Sequence, residues 1–200
     1  MESTSRFLMQ ANRTARNFLK DRSGVGAVEF AFIAPLMLVM FFGTVEFSQA
    51  VAANRKVTIM ARTLSDLTSQ NSSVTATQLN NFFAAGTAIM TPYSASPVRS
   101  TISELYIDPN TQVARVQWSV GSAARGAGST VPIPPQLIAR DAQNNVAANQ
   151  YLIYSEVTYQ YVPTIGYVMA PGGVNLSDVS FTRPRESTCV MYNTQVCTTL

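Results

Sequence analysis

The residues with most scope for chemistry are a lone carboxylate inside an apolar run, Glu29, and two cysteines near the C-terminus, Cys189 and Cys197. A carboxylate in the first turns of a membrane helix is costly and usually has a partner. It can instead lie near the interface, solvated by headgroups, and Glu29 alone leaves both readings open. In an oxidising compartment Cys189 and Cys197 can close a small disulfide loop, and two buried thiols are the other possibility. The bridge is the preferred reading. Seven intervening residues suit no CxxC redox motif, and two thiolates are too few ligands for structural zinc.

Catalytic arrangements are hard to assemble from this sequence. It contains no histidine, which removes Ser-His-Asp, Cys-His and His-containing zinc sites together. The lysines are Lys20 and Lys56, both before residue 70, so a Ser-Lys hydrolase in the C-terminal region is unsupported. Glu104, Asp108, Asp141 and Glu156 show no spacing that demands a carboxylate pair. The stretch from Ser122 to Thr130 carries glycines and Arg125 but lacks the Lys-Ser/Thr ending of a phosphate loop, and it reads as a mobile surface loop. The expectation is a non-enzyme with no cofactor and no metal.

Charge location explains the basic balance. Charged residues make up 12% of the chain and the net charge is +3. Arg6, Arg13, Arg16, Lys20 and Arg22 precede the apolar run, and Arg55, Lys56 and Arg62 follow it. Beyond residue 70, six arginines balance six acids. A duplex-binding domain needs clustered cations to displace counterions, so no nucleic-acid partner is expected.

The elements that position Glu29 follow from hydropathy. Val25 to Val45 is 21 residues with one charge, which as a helix spans roughly 30 Å, about one hydrocarbon core. Five basic residues before it against three after it place the N-terminus in the cytoplasm and export the remainder. A secretory signal peptide would be shorter and end in small residues. Pro35 should loosen or kink the span. Phe47, Val51, Val57, Ile59, Ala61, Leu64 and Leu67 then recur at roughly helical spacing, so the helix continues to about Leu67. The expected organisation is a basic leader over 1–24, a membrane helix over 25–45, an amphipathic stalk and linker over 46–70, and an exported domain over 71–200.

Arg22-Ser-Gly24-Val25-Gly-Ala-Val-Glu29-Phe30 combines a basic patch, a glycine, small residues, a glutamate and an aromatic ahead of the span. This resembles a class III prepilin signal. More closely, Gly24 to Gln49, with Val-Glu-Phe-Ala, Pro35 and a Phe42-Gly-Thr-Val-Glu-Phe47 ending, resembles the TadE-like family of minor pseudopilins in the tight-adherence (Flp) pilus system. The resemblance implies cleavage between Gly24 and Val25 by a prepilin peptidase, making Glu29 the fifth residue of the mature chain. It also implies roles for Glu29 and Phe30 in processing and assembly, with other pilins and the assembly platform as partners in the inner membrane. Cleavage after Gly26 would put the glutamate third and out of register. The competing reading is an unprocessed, single-pass sensor or envelope-binding domain.

Downstream, Thr77 to Met90 shows helical spacing, with Thr75 or Thr77 as N-cap and Pro92 as a stop. Ile102–Ile107 and Val113–Val120 flank an Asp-Pro-Asn-Thr turn and read as a hairpin, with Val116, Trp118 and Val120 on one buried face. Tyr151 to Val162 is the strongest strand, and Val179–Arg183 and Cys189–Tyr192 are further candidates. Tyr151, Tyr154, Tyr159, Tyr161 and Tyr167 suit either strand packing, which is preferred, or an adhesive face. The fold class is α+β: a long N-terminal membrane helix with an amphipathic extension, one further helix, and an antiparallel sheet of about four strands.

Overall fold

The computed structural model describes residues 24–163 and 172–197. Residues 1–23, most of the expected leader over 1–24, and Tyr167 lie outside the described residues. The chain divides into two compact units between Val45 and Glu46.

In the first unit, helix α1 (Val25–Ser69, continuing into the second unit) carries the apolar run. Its side chains there bury almost nothing: Phe30, Leu36, Phe41 and even Phe32, 79% exposed, face outward. Large apolar groups all around a helix, with no protein of this unit to cover them, are the pattern of a segment that lies in lipid or in another protein's core. The helix is long and apolar enough to cross a membrane, consistent with a single-pass anchor. Pro35 sits inside it.

In the second unit, the remainder of α1 is amphipathic. Ala53, Val57, Met60, Ala61 and Leu64 recur at three- and four-residue steps and are fully buried. Helix α2 (Ala76–Ile89) starts at a capping box, in which Thr75 accepts from the Gln78 N–H and Gln78 accepts from the Thr75 N–H. It lies close on α1 because Gly86 has no side chain. A Cβ there would meet Leu64 and Met60 at 3.1 Å. Lys56 Nζ donates to the Ile89 carbonyl at 2.9 Å, satisfying an orphan acceptor at the end of α2.

The sheet contains β2 (Val98–Ile107), β3 (Ala114–Gly121), β4 (Thr130–Val131), β5 (Gln150–Tyr161) and β6 (Val174–Thr182), ordered β4-β3-β2-β5-β6 and antiparallel throughout. A separate parallel pair joins β1 (Ser73–Val74) to β7 (Met191–Tyr192). One sheet face packs Ile102, Ile153, Val157 and Tyr159 on the second half of α1. Polar groups on that face are matched to the helix: Ser155 Oγ donates to the Ala61 carbonyl, and Ser65 Oγ bonds Ser180 Oγ at 2.9 Å. The opposite face gathers Leu105, Ile107, Val116, Leu152 and Tyr154 under Val131, Ile133, Leu137 and Ile138.

The hairpin departs from simple alternation. Glu104 pairs with Trp118 but Leu105 pairs with Val116, leaving Gln117 as a β-bulge. One extra residue flips the face, so Val116 packs beneath the loop that follows β4 while Trp118 and Val120 join the helix-side core. The expected single buried face for all three is therefore corrected. The Ser122–Thr130 loop is also pinned rather than mobile. Arg125 pairs with Glu156 at 2.8 Å, lies over the Tyr154 ring at 5.8 Å, and donates its backbone N–H to Ser119 Oγ. Tyr151, Tyr154, Tyr159 and Tyr161 are all buried, so these tyrosines pack strands.

Candidate functional site

Gly24, Val25, Glu29 and Phe30 fall together at the start of α1. Gly24 occupies a turn and Val25 is the first helical residue. The Gly24 carbonyl accepts from the Val28 N–H at 3.1 Å, closing the first turn. The Gly24–Val25 bond is thus the junction between turn and helix. All four residues are exposed. A Cβ added at Gly24 or Gly26 would touch nothing within 4 Å, so packing within this chain demands a glycine at neither position. Val25 and Glu29 are one turn apart and share a helix face.

Cys189 and Cys197 lie in the second unit, bonded to each other with Cα atoms 6.3 Å apart. They sit against Tyr106 and Tyr151 on a strap that follows β6. The strap is tied back to the α1–α2 connection by Arg185 N–H to the Ser69 carbonyl, Met191 N–H to Ser72, and Asn193 N–H to Val74. Arg185 also pairs with Asp66.

Two buried glutamates escaped the sequence reading. Glu46, 3% exposed, opens the second unit and raises the pKa of Tyr161, whose own burial is the larger cause. Its signal was its place in the Phe-Gly-x-x-Glu-Phe ending, which had no role assigned. Glu104, 1% exposed, lies beneath the disulfide strap. Its Oε1 accepts from the Val190 N–H at 2.5 Å and its Oε2 from Trp118 Nε1 at 3.1 Å, while Trp118 Nε1 also reaches the Val190 carbonyl at 2.7 Å. Burial pushes its pKa up to about 7 against the lowering effect of these two donors. The signal was alternation: in Ile102-Ser-Glu-Leu-Tyr106, Glu104 shares a face with Ile102 and Tyr106. A carboxylate oxygen and both sulfurs lie within 4.8 Å of one another. With the sulfurs bonded together, only the carboxylate remains as a metal donor, too little for a cation site.

The start of α1 and most of its length fall within a match to a known family. Residues 24–64 match the family model of TadE-like proteins. This segment is a TadE-like domain. It begins at Gly24, the residue before the first turn of α1, and ends at Leu64 within the helix-side core. The TadE-like domain therefore covers both the apolar run and most of the amphipathic continuation, well past Phe47, where the recognisable motif ends. No curated protein and no solved structure matches the chain. A TadE-like domain implies a component of the Tad pilus machinery.

Proposed function

We propose that this protein is a pseudopilin-like structural component of a tight-adherence (Flp) type IV pilus, cut between Gly24 and Val25 by a prepilin peptidase and acting in pilus biogenesis, adhesion and surface colonisation. The observation carrying this reading is the TadE-like match that begins at Gly24, ahead of an apolar helix with no protein cover. The bare surroundings of Gly24 support it. A glycine that the chain's own packing does not need suits an external constraint, the close backbone approach of a peptidase.

In this reading residues 1–24 are a cytoplasmic leader, 25–45 span the inner membrane, and the domain beyond is periplasmic. Cleavage creates an amine on Val25, and the Glu29 carboxylate, one turn away or on a neighbouring helix, neutralises it. Gly26 and Ala27 leave room for a second helix to approach. The partners are the peptidase, other pilins and the assembly platform. The role is structural, not enzymatic.

The test is the N-terminal residue and mass of the membrane-extracted protein, with and without the pilus system's prepilin peptidase. A peptidase-dependent start at Val25 is the expected result. An intact leader in both backgrounds would overturn the reading and favour an unprocessed envelope-binding domain.

A further inference from the structure

The buried carboxylate under the strap has no part in processing or membrane anchoring, yet it is the most unusual group in the second unit. A cleft of about 390 Å³ leads to it, lined by Gln117, Trp118, Gln195, Val196 and Cys197 as well as Glu104. Cys197 is half-buried and lines this cleft, whereas Cys189 is buried and does not. The two sulfurs therefore differ in access. An incoming thiolate meets Cys197, and the sulfur that must leave is Cys189. A thiolate released in that enclosed position needs a proton, and the Glu104 carboxyl, with an oxygen within 4.8 Å of both sulfurs, is close enough to supply one through a single water.

We propose that Cys189–Cys197 is an exchangeable disulfide, attacked at Cys197 by an external thiol, with Glu104 donating the proton to the departing Cys189 sulfur. The thiolate sulfur bonds Cys197 Sγ, the Sγ–Sγ bond breaks, and Cys189 Sγ takes the Glu104 proton. Glu104 regains a proton from water in the cleft. A second thiolate then attacks the external sulfur of the mixed disulfide, so the mixed S–S bond breaks, the reagent leaves as its own disulfide, and Cys197 departs as a thiolate that takes a proton from solvent. Two electrons pass from the thiol reagent to the protein. Reduction opens the small loop between residues 189 and 197, while the Arg185 contacts, the β1–β7 pair and Glu104 continue to hold the strap.

Burial favours the protonated form of Glu104 near neutrality, against the Trp118 and Val190 donors, which favour the ionised form. Trp118 comes from β3, Tyr106 from its own strand, Tyr151 from β5 and the cysteines from the strap. Neither a lysine nor an arginine is among the causes that shift its pKa, which burial raises to about 7. A proton donor of that strength is available up to pH 7 and is withdrawn above it.

The experiment uses the full chain in detergent, with dithiothreitol as the thiol. Because the sequence has two cysteines and one tryptophan, alkylation followed by mass measurement counts reduction, and Trp118 emission reports strap integrity. The rate constant per unit of thiolate is expected to be flat below pH 7 and to fall roughly tenfold per pH unit above it. E104Q is expected to lose this bend. A flat wild-type profile from pH 5.5 to 9, or a bend that survives in E104Q, overturns the proposal. Should Trp118 emission show that E104Q loosens the oxidised strap, E104D decides. That variant keeps an ionisable group one methylene further away, so it must move the bend, and an unmoved bend overturns the assignment.

Discussion

Helix α1 meets two environments along its length. From Val25 to Val45 its phenylalanines and leucines are exposed around the whole circumference, whereas from Ala53 to Leu64 only one stripe is apolar and that stripe is fully buried. Both halves are apolar enough to be helical in the right solvent. They differ in where polar residues are allowed. The second half alternates its core residues with Asn54, Arg55, Lys56 and Arg62, which would be prohibitive in lipid. The two glutamates make the same point. Glu29 is exposed on the first half, while Glu46 is buried at the start of the second. Position along a helix, more than composition, decides what an acid is for.

The sharpest way to break this comparison is at Gly24. Gly24→Leu touches nothing in this chain, so the domain should melt normally while the shortened product disappears entirely; blotting and mass measurement of membrane extracts check both halves of that statement. Core truncation comes next. Leu64→Ala should cost about 2–5 kcal/mol in denaturant unfolding of the detergent-solubilised protein, whereas Leu38→Ala, exposed in the first half, should leave the domain's unfolding unchanged. Equal costs at the two positions would erase the distinction between the halves.

The pH dependence probes a buried acid in the second unit. Glu104 has a folded pKa of about 7 against an ordinary 4.5, so the folded state holds its proton more tightly than the unfolded one. Its contribution to stability is complete below pH 4.5 and is lost as the pH rises towards 7, a change of about 3 kcal/mol at most. Chemical denaturation at pH 4.5 and 7.5 should show this loss, and E104Q should flatten it. Gly86→Val should cost about 1–3 kcal/mol by crowding Leu64 and Met60. The smallest effect is at the cap of α2, where Thr75→Ala should lower stability by about 1 kcal/mol.

Local signals were legible and long-range ones were not. Thr75 was one of two N-cap candidates, and α2 starts after it, with Gln78 completing a capping box. The turn at Asp108 marked the hairpin, since Asp108 accepts from Asn110 and Thr111 within the turn. The bulge at Gln117 was hidden, because one extra residue leaves the sequence alternation intact while changing which face each side chain meets. The pairing of Ser73–Val74 with Met191–Tyr192 is two residues long and joins segments more than a hundred apart, too short to leave a period. Burial of Glu104 depends on the strap being laid over it. At the start of α1, the residue types and their order were readable, while the absence of any packing need for Gly24 required the structure.

The span of sequence between contacting partners also sets an order of events during synthesis. Ser155 bonds the Ala61 carbonyl across 94 residues, and Thr182 bonds Ser65 across 117. At about 5–20 residues per second, the amphipathic half of α1 leaves the ribosome roughly 5–20 seconds before the strands that cover it. During that interval Val57, Met60 and Leu64 have no sheet to pack on. That stripe stays uncovered until β5 and β6 arrive.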